Sequence, residues 1–330
     1  MGPPNDLLNG VVNDDLIPLA VVKWGLRSFP VGLWPNQSLI IHTARVLMSL
    51  KRNIVNFLDR KGGQAILAKI TTFLARRELG HEVEVFHDGR LWIHLVNSTF
   101  FPDDRRFCYY GSSFKEWAEL PTRYIRDAED YWFRHYQLHK GDIVFDIGAG
   151  RGEDTFAFSK GVGSSGRVVA IEAHPVSYEL LEAFCRLNQL ENTSPLNLAV
   201  MDKRGEISMV ESGDWRAHAV AVEGASSNIR VASRTLDQIC SEQLDIKHID
   251  FLKMNIEGAE RYALVGMESI IESTKAICIA CHDFLADRGL GEHYRTKQFV
   301  ERFLVNHGFR TVSYPEDPRD FVRCHVFAFR

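Results

Sequence analysis

Apolar residues in the first part of the chain fall at helical spacing. Over residues 39–58, Ile40, Ala44, Leu47, Leu50, Ile54 and Leu58 share one face. Gly62-Gly63 interrupts the pattern. A second helix follows, with Ile66, Ile70, Phe73 and Leu74 on one side. The stretch "VEVFHDGRLWIHL" then alternates about Asp88-Gly89, which predicts a β-hairpin. Residues 1–115 thus read as an N-terminal region of helices plus a hairpin, and residues 116–330 as a second domain of different pattern. Tyr124, Ala128, Tyr131, Trp132 and Tyr136 suit an amphipathic helix. Strands are expected at 142–147, 167–172, 195–200, 248–256 and 275–281. Helices are expected from 153, at 175–188, from Thr235 (where Thr-x-x-Gln resembles a capping box), from 259 and at 294–307. A last pair of strands is expected at 309–314 and 322–329. Alternation of this kind predicts an α/β sheet with helices on both faces and a ligand at the carboxyl ends of its strands.

Composition narrows the class. The chain has 330 residues, 45% hydrophobic and 25% charged, a globular rather than a disordered balance. No window approaches the roughly 18–20 apolar residues of a membrane span. The opening "MGPPNDLLNG" lacks a basic region followed by an apolar core, so no secretory signal is expected. The six cysteines are scattered, which fits reduced thiols and a cytoplasmic setting. Cys278 and Cys281 form a C-x-x-C on a predicted strand. Residues three apart on a strand face opposite sides, so these two are expected to be core residues, not a shared metal or disulfide site. Net charge is −4, yet residues 45–77 hold eight basic residues against one acid. That stretch predicts association through the N-terminal region, either as a homodimer interface or as weak contact with an anionic surface. The even alternative is a solvated face covering the second domain.

The chemistry concentrates in "VFDIGAGRGEDT", residues 144–155. A strand ends in Gly148, Gly150 and Gly152, and a helix opens. The dinucleotide fingerprint G-x-G-x-x-G would need glycine at position 153, where this chain has Glu153. Glu172 ends the next strand, twenty residues after Gly152, where a carboxylate can take both hydroxyls of an adenosine ribose. Glu153 and Asp154 would occupy the positive end of the helix, repel a pyrophosphate and tolerate a cation. S-adenosylmethionine carries adenosine, no phosphate and a sulfonium, so the loop suits it better than NAD.

The segments "GDIVFDIGAGRGEDT", "VVAIEAHP", "RTLDQI" and "IDFLKMNIEGAERYALVGM" resemble the FkbM-type family of class I S-adenosylmethionine-dependent methyltransferases, over about residues 120–330. The resemblance implies a Rossmann-like sheet of seven strands with the last strand antiparallel, and O-methyl transfer to a hydroxyl of a small molecule or glycan. It implies a cofactor site formed by Asp146, Gly148, Ala149, Gly150 and Thr155, by Glu172 and Ala173, by Ala199 and Val200 near the adenine, and by Asn255, which with Glu257 would end the fourth strand beside the methionine moiety or the acceptor. Asn255 stands where the family pattern carries Asp, and "GAGRGED" departs from the commoner Gly-Ala-Asn-x-Gly loop.

Methyl transfer from a sulfonium to oxygen needs alignment and a proton acceptor. His282 follows the strand expected at 275–281, and Glu257 ends the neighbouring one; these are the candidate catalytic residues. His174 reads as a loop or capping residue, and Glu260 as a helix-opening acid that complements the dipole. Glu257, Glu260, His282 and Asp283 lack a tight metal-ligand spacing, and no metal is expected. Nucleic acid is not an expected partner. Two other classes stay open: a non-catalytic cofactor-binding or scaffolding protein, and a nicotinamide-dependent oxidoreductase.

Overall fold

A computed structural model describes residues 57–59, 62–80, 82–106, 113–209 and 229–330. Most of the helix expected at 39–58 lies outside the described residues. The chain divides into two compact units, Met1–Leu120 and Pro121–Arg330.

In the first unit, α1 (Gln64–Leu79) is followed by a three-stranded antiparallel sheet, β1 (Val83–His87), β2 (Trp92–Val96) and β3 (Thr99–Asp103). The hairpin turn is the expected one. Asp88 Oδ1 accepts the N–H groups of Arg90 and Leu91, 2.9 and 2.8 Å away. The third strand was not foreseen; it returns through Asn97 and Ser98, both left-handed (φ 47° and 64°). The buried face of α1 also differs from the expectation. Leu67, Ala68, Thr71 and Ala75 are buried, whereas Ile66, Ile70 and Phe73 are exposed. Small residues allow close approach to β1, where Thr72 Oγ1 accepts from the Val85 N–H at 2.8 Å and Arg76 Nε donates to the Val83 carbonyl at 2.7 Å.

Helix α2 (Phe114–Tyr131) contains the division between the units and stops before Tyr136. The second unit then runs β4 (Ile143–Ile147), α3 (Glu153–Val162), β5 (Arg167–Ile171), α4 (Pro175–Leu187) and β6 (Thr193–Leu196). Next come β7 (Ala199–Val200), β8 (Gly205–Met209), β9 (Ile229–Arg234) and α5 (Leu236–Gln238), which continues as a π-helical turn. The capping box is present: Thr235 and Gln238 bond each other's backbone N–H. The remainder is β10 (Ile249–Met254), α6 (Glu260–Val265), β11 (Thr274–Ala280), α7 (Asp283–Asp287), α8 (Lys297–Asn306), β12 (Arg310–Val312), α9 (Asp320–Arg323) and β13 (His325–Phe329).

Seven of these strands form one sheet in the order β12-β13-β11-β10-β4-β5-β6. β13 runs antiparallel to β11 and β12, and the other pairs are parallel. The sheet is thus Rossmann-like, with its last strand in the chain reversed. The segment expected as one strand at 195–200 is two: β7 leaves the main sheet and pairs with β9 in a small sheet that also holds β8.

Strand alternation separates two cores. Phe145, Ile147, Leu252, Met254 and Ile279 pack on one face with Cys281. Val144, Phe251, Ala276 and Cys278 pack on the other with Phe158 and Trp132. Cys278 and Cys281 therefore lie on opposite faces, and the cysteines among the described residues are free and buried. By the same alternation, Asp146 and Lys253 share the face of Val144 and Phe251 and stand opposite each other in register. Among the described residues, no helix is long and apolar enough to cross a membrane.

Candidate active site

The carboxyl ends of β4, β5 and β10 meet around the glycine loop. Gly148 has φ +76°, and a Cβ there would stand 2.0 Å from the Asn255 carbonyl oxygen. Only glycine lets these turns touch. The contact is fixed on both sides, since the Asn255 N–H donates to the Ile147 carbonyl at 2.9 Å and the Gly148 N–H to that of Ile171 at 2.9 Å. Ala149 is buried and also donates to Ile171. Gly152, with φ 102°, forms the left-handed N-cap of α3.

Behind the loop lies a buried charge cluster. Lys253, fully enclosed, places Nζ 2.8 Å from Asp146 Oδ1, 2.8 Å from the Gly148 carbonyl and 3.3 Å from Asp154 Oδ2. Asp146 Oδ2 accepts the Thr155 hydroxyl at 2.5 Å. Burial alone would drive the ammonium to shed its proton, but Asp146 and Asp154 outweigh it and hold Lys253 charged. Burial raises the Asp154 carboxyl, against the pull of Lys253 and the Trp132 indole. Asp146 and Thr155 are enclosed, so they act by shaping the loop. Asp154 was expected to neutralise the helix end together with Glu153; instead it turns back to Lys253, while Glu153 Oε2 accepts the Arg151 N–H.

Glu172 follows β5. Its carboxylate accepts the Gly150 N–H and the His174 N–H, each at 2.8 Å, one on each oxygen. Burial among protein atoms pushes it up to about 7, with these two donors opposing the shift. His174 is the N-cap of α4, as a capping reading anticipates. Asn197 Nδ2 donates to the carbonyls of Glu172 and Ala173, 2.9 and 3.0 Å away, and so ties the turn after β5 to the turn after β6. Ala173 packs against the small cluster containing Ala199, while Val200 belongs to the main core.

The turn after β10 closes the site. Asn255 Oδ1 is buried without a hydrogen-bond partner. Glu257 (φ 49°) and Gly258 (φ 99°) are both left-handed. Glu260 is fully buried, and its two oxygens accept the Gly258 N–H at 3.0 Å. Its carboxylate stands 3.7 Å from His282 Nδ1. Glu260 does open α6, as expected, but its charge is directed at this turn and at His282. Burial opposes protonation of His282, yet Glu260, Glu257 and Asp283 prevail and raise its affinity for a proton. His325 pairs with Ala280 at the start of β13 and stacks on Trp132, with centroids 4.8 Å apart. Trp132 in turn lies 5.2 Å from Lys253 Nζ.

Of the expected site residues, Asp146, Gly148, Ala149, Gly150, Thr155, Glu172, Ala173, Asn255 and Glu257 lie at these strand ends or directly behind them, His282 follows β11, and Ala199 and Val200 lie in β7 of the small sheet. Lys253, Asp154, Asn197, Trp132, Glu260 and His325 were not foreseen as site residues. The signal for Lys253 was a single basic residue inside the strand segment "IDFLKM", opposite the expected Asp146.

Residues 146–311 match the methyltransferase FkbM domain, half of the chain. The chain belongs to the FkbM methyltransferase family. No curated protein matches it. Its fold is similar to that of an FkbM methyltransferase from Methylobacillus flagellatus KT, at 17% identity and a TM-score of 0.44, covering 64% of this chain and 51% of that one. The chain thus spans about half the length of that relative. It is also similar to Aeropyrum pernix fibrillarin, at 13% identity and a TM-score of 0.39, covering 75% of this chain and 99% of that one. A third similar structure is a SAM-dependent methyltransferase from Aquifex aeolicus, at 16% identity and a TM-score of 0.37, covering 63% of this chain and 96% of that one.

Proposed function

We propose that the chain transfers a methyl group from S-adenosylmethionine to a hydroxyl oxygen of a small molecule or glycan. The observation that carries this reading is the junction of three strand ends, where Gly148 abuts Asn255 and Gly150 is tied to Glu172. The residues fit the cofactor. Each Glu172 oxygen has accepted one N–H and keeps lone-pair capacity for a ribose hydroxyl. Asn255 Oδ1 is a buried acceptor in need of a donor, which the methionine ammonium provides. The carboxyl groups of Asp146 and Asp154, gathered about Lys253 behind the loop, suit a cation there better than a phosphate. Ala173 and Ala199 offer small apolar walls for the adenine.

When bound, S-adenosylmethionine supplies an electrophilic methyl on a leaving group that departs neutral. The chain's own residues then have two tasks. The glycine loop and the turn after β10 hold the reactants in line, which accounts for much of the rate in a displacement of this kind. His282 takes the hydroxyl proton, and Glu257 is the second candidate for that role.

Calorimetric titration with S-adenosylmethionine and with NADH tests the cofactor. Binding of the first alone supports the reading, and binding of NADH alone overturns it. Labelled methyl donor, offered with panels of hydroxylated small molecules and glycans, tests the transfer. With a methylated acceptor in hand, His282→Ala is expected to lower turnover about a hundredfold with cofactor affinity little changed. Turnover near that of the parent chain would transfer the role to Glu257.

A further inference from the structure

We propose that Glu260 is a positioning residue that holds the His282 ring through Nδ1 and so presents Nε2 as the proton acceptor of the methyl transfer. The inference rests on the methyltransferase reading above and adds a residue that it does not use.

Three observations carry it. First, Glu260 is fully buried, and among the described residues His282 is its one ion-pair partner. A carboxylate enclosed without an Arg or Lys is costly unless something nearby supplies positive charge or hydrogen bonds. The Gly258 N–H supplies one donor, shared by both oxygens, and leaves the remaining lone pairs to the imidazole. Second, His282 Nδ1 is buried, lacks a hydrogen-bond partner and lies 3.7 Å from Glu260 Oε1. That gap is wider than a hydrogen bond, and catalytic pairs commonly tighten only when the reactants are bound. Among the described residues Nε2 makes no hydrogen bond, and it is not among the buried unpartnered atoms, so it is the ring nitrogen that keeps some exposure in a largely buried side chain. Third, the arrangement is locked from both neighbours. Glu260 is fixed by the left-handed turn at Glu257 and Gly258, and His282 sits where β11 gives way to α7.

Proton flow follows from this geometry. The acceptor hydroxyl gives its proton to Nε2 as its oxygen forms the new bond to the methyl carbon. The carbon–sulfur bond breaks, and its electron pair stays on the departing thioether. The imidazolium then stands between Glu260 and the acceptor, and its Nε2 proton leaves to water by the open side. The charged groups facing His282 are Glu260 from α6, Glu257 from the turn after β10, and Asp283 from its own element; His325 approaches from β13. Burial, and then the neighbouring His282, push His325 down to about 3, so His325 stays neutral, while Glu260, Glu257 and Asp283 raise the affinity of His282 for a proton.

The test reads the imidazole directly and needs no acceptor. In the nitrogen-15-labelled full chain, with resonances assigned through His282→Gln, the neutral ring is expected as the Nδ1–H tautomer. An Nε2–H tautomer overturns the proposal without any variant of Glu260 having to fold. In Glu260→Gln the His282 titration midpoint is expected to fall by about one unit or more, as removal of a close negative charge requires. S-adenosylhomocysteine affinity is expected to stay within about threefold, because Glu260→Gln keeps an oxygen to accept the Gly258 N–H and so preserves the turn. Glu260→Asp, which keeps the carboxylate, should retain part of the upward shift. An unmoved midpoint in Glu260→Gln overturns the proposal. Failure to bind S-adenosylmethionine in the parent chain, with the Nδ1–H tautomer intact, would instead sink the methyltransferase reading and leave the Glu260–His282 pairing standing.

Discussion

The turns after β4 and β10 are built on one plan and finished differently. Each bends at a left-handed glycine, Gly148 or Gly258, and each places a carboxylate beneath the bend, Asp146 or Glu260. Under the first turn both carboxylate oxygens have partners, one from Lys253 and one from Thr155. Under the second, the backbone supplies one N–H, and the imidazole stands off at 3.7 Å. The carboxylate under the first turn is satisfied on both oxygens, while the second turn faces a titratable imidazole that has no hydrogen-bond partner among the described residues. A rigid half and an adjustable half suit a reaction that always uses the same donor and must move one proton.

The largest effect that separates the halves is on stability. Lys253→Met leaves Asp146 enclosed, and Asp154 part-buried, without a cation and should cost about 3–5 kcal/mol, read as the loss in urea denaturation. A midpoint that did not move would show that the closed half does not depend on its lysine. Thr155→Val removes a buried donor from a carboxylate of nearly the same shape and should cost about 1.5–3 kcal/mol by the same measurement. Glu172→Ala should weaken S-adenosylhomocysteine by about tenfold, or about 1.4 kcal/mol, in calorimetry. Equal affinity would remove Glu172 from the cofactor site.

The smallest effect is pH-dependent and belongs to Glu172. Burial holds its carboxyl at about 7 in place of its ordinary 4.5. Hydroxyl donors favour the ionised form, so S-adenosylhomocysteine affinity should fall several-fold from about pH 8 to about pH 6, and Glu172→Gln should flatten the profile. Stability moves the other way. Between 4.5 and about 7 the folded chain binds a proton that the unfolded chain releases, so this group's contribution to stability declines as pH rises through that window.

The sequence announces features whose cause is local. The strand, glycine turn and helix at 143–162 follow from their own pattern, and Glu172 follows from its distance along the chain. The capping box at Thr235 is complete within four residues. Features set by distant pairing were not visible. Lys253 acquires its role because the register of β10 on β4 puts it against Asp146. The strand expected through 195–200 breaks because Asn197 spends its side chain on the carbonyls of Glu172 and Ala173, which frees Ala199 and Val200 to pair elsewhere. On α1, Ile66, Ile70 and Phe73 mimic a core stripe, yet the sheet takes the face with the smaller residues Ala68, Thr71 and Ala75. Glu260 looked like a helix-end acid because nothing in the spelling "IEGAE" reveals that Glu257 adopts a left-handed backbone.

The reversed strand β13 has a consequence for how the molecule opens. It lies between β11 and β12, and β12, at the sheet edge, pairs with no other strand among the described residues. β12 therefore cannot outlast β13 in the folded ensemble, and amide protons of Thr311 and its neighbours should exchange no more slowly than those of 325–329. Because His325 opens β13 and stacks on Trp132, a fluctuation that detaches this strand also lifts the stack beside Lys253. A nick in the connection between Val312 and His325 would loosen that cover while leaving the parallel strands, and the glycine loop they carry, paired.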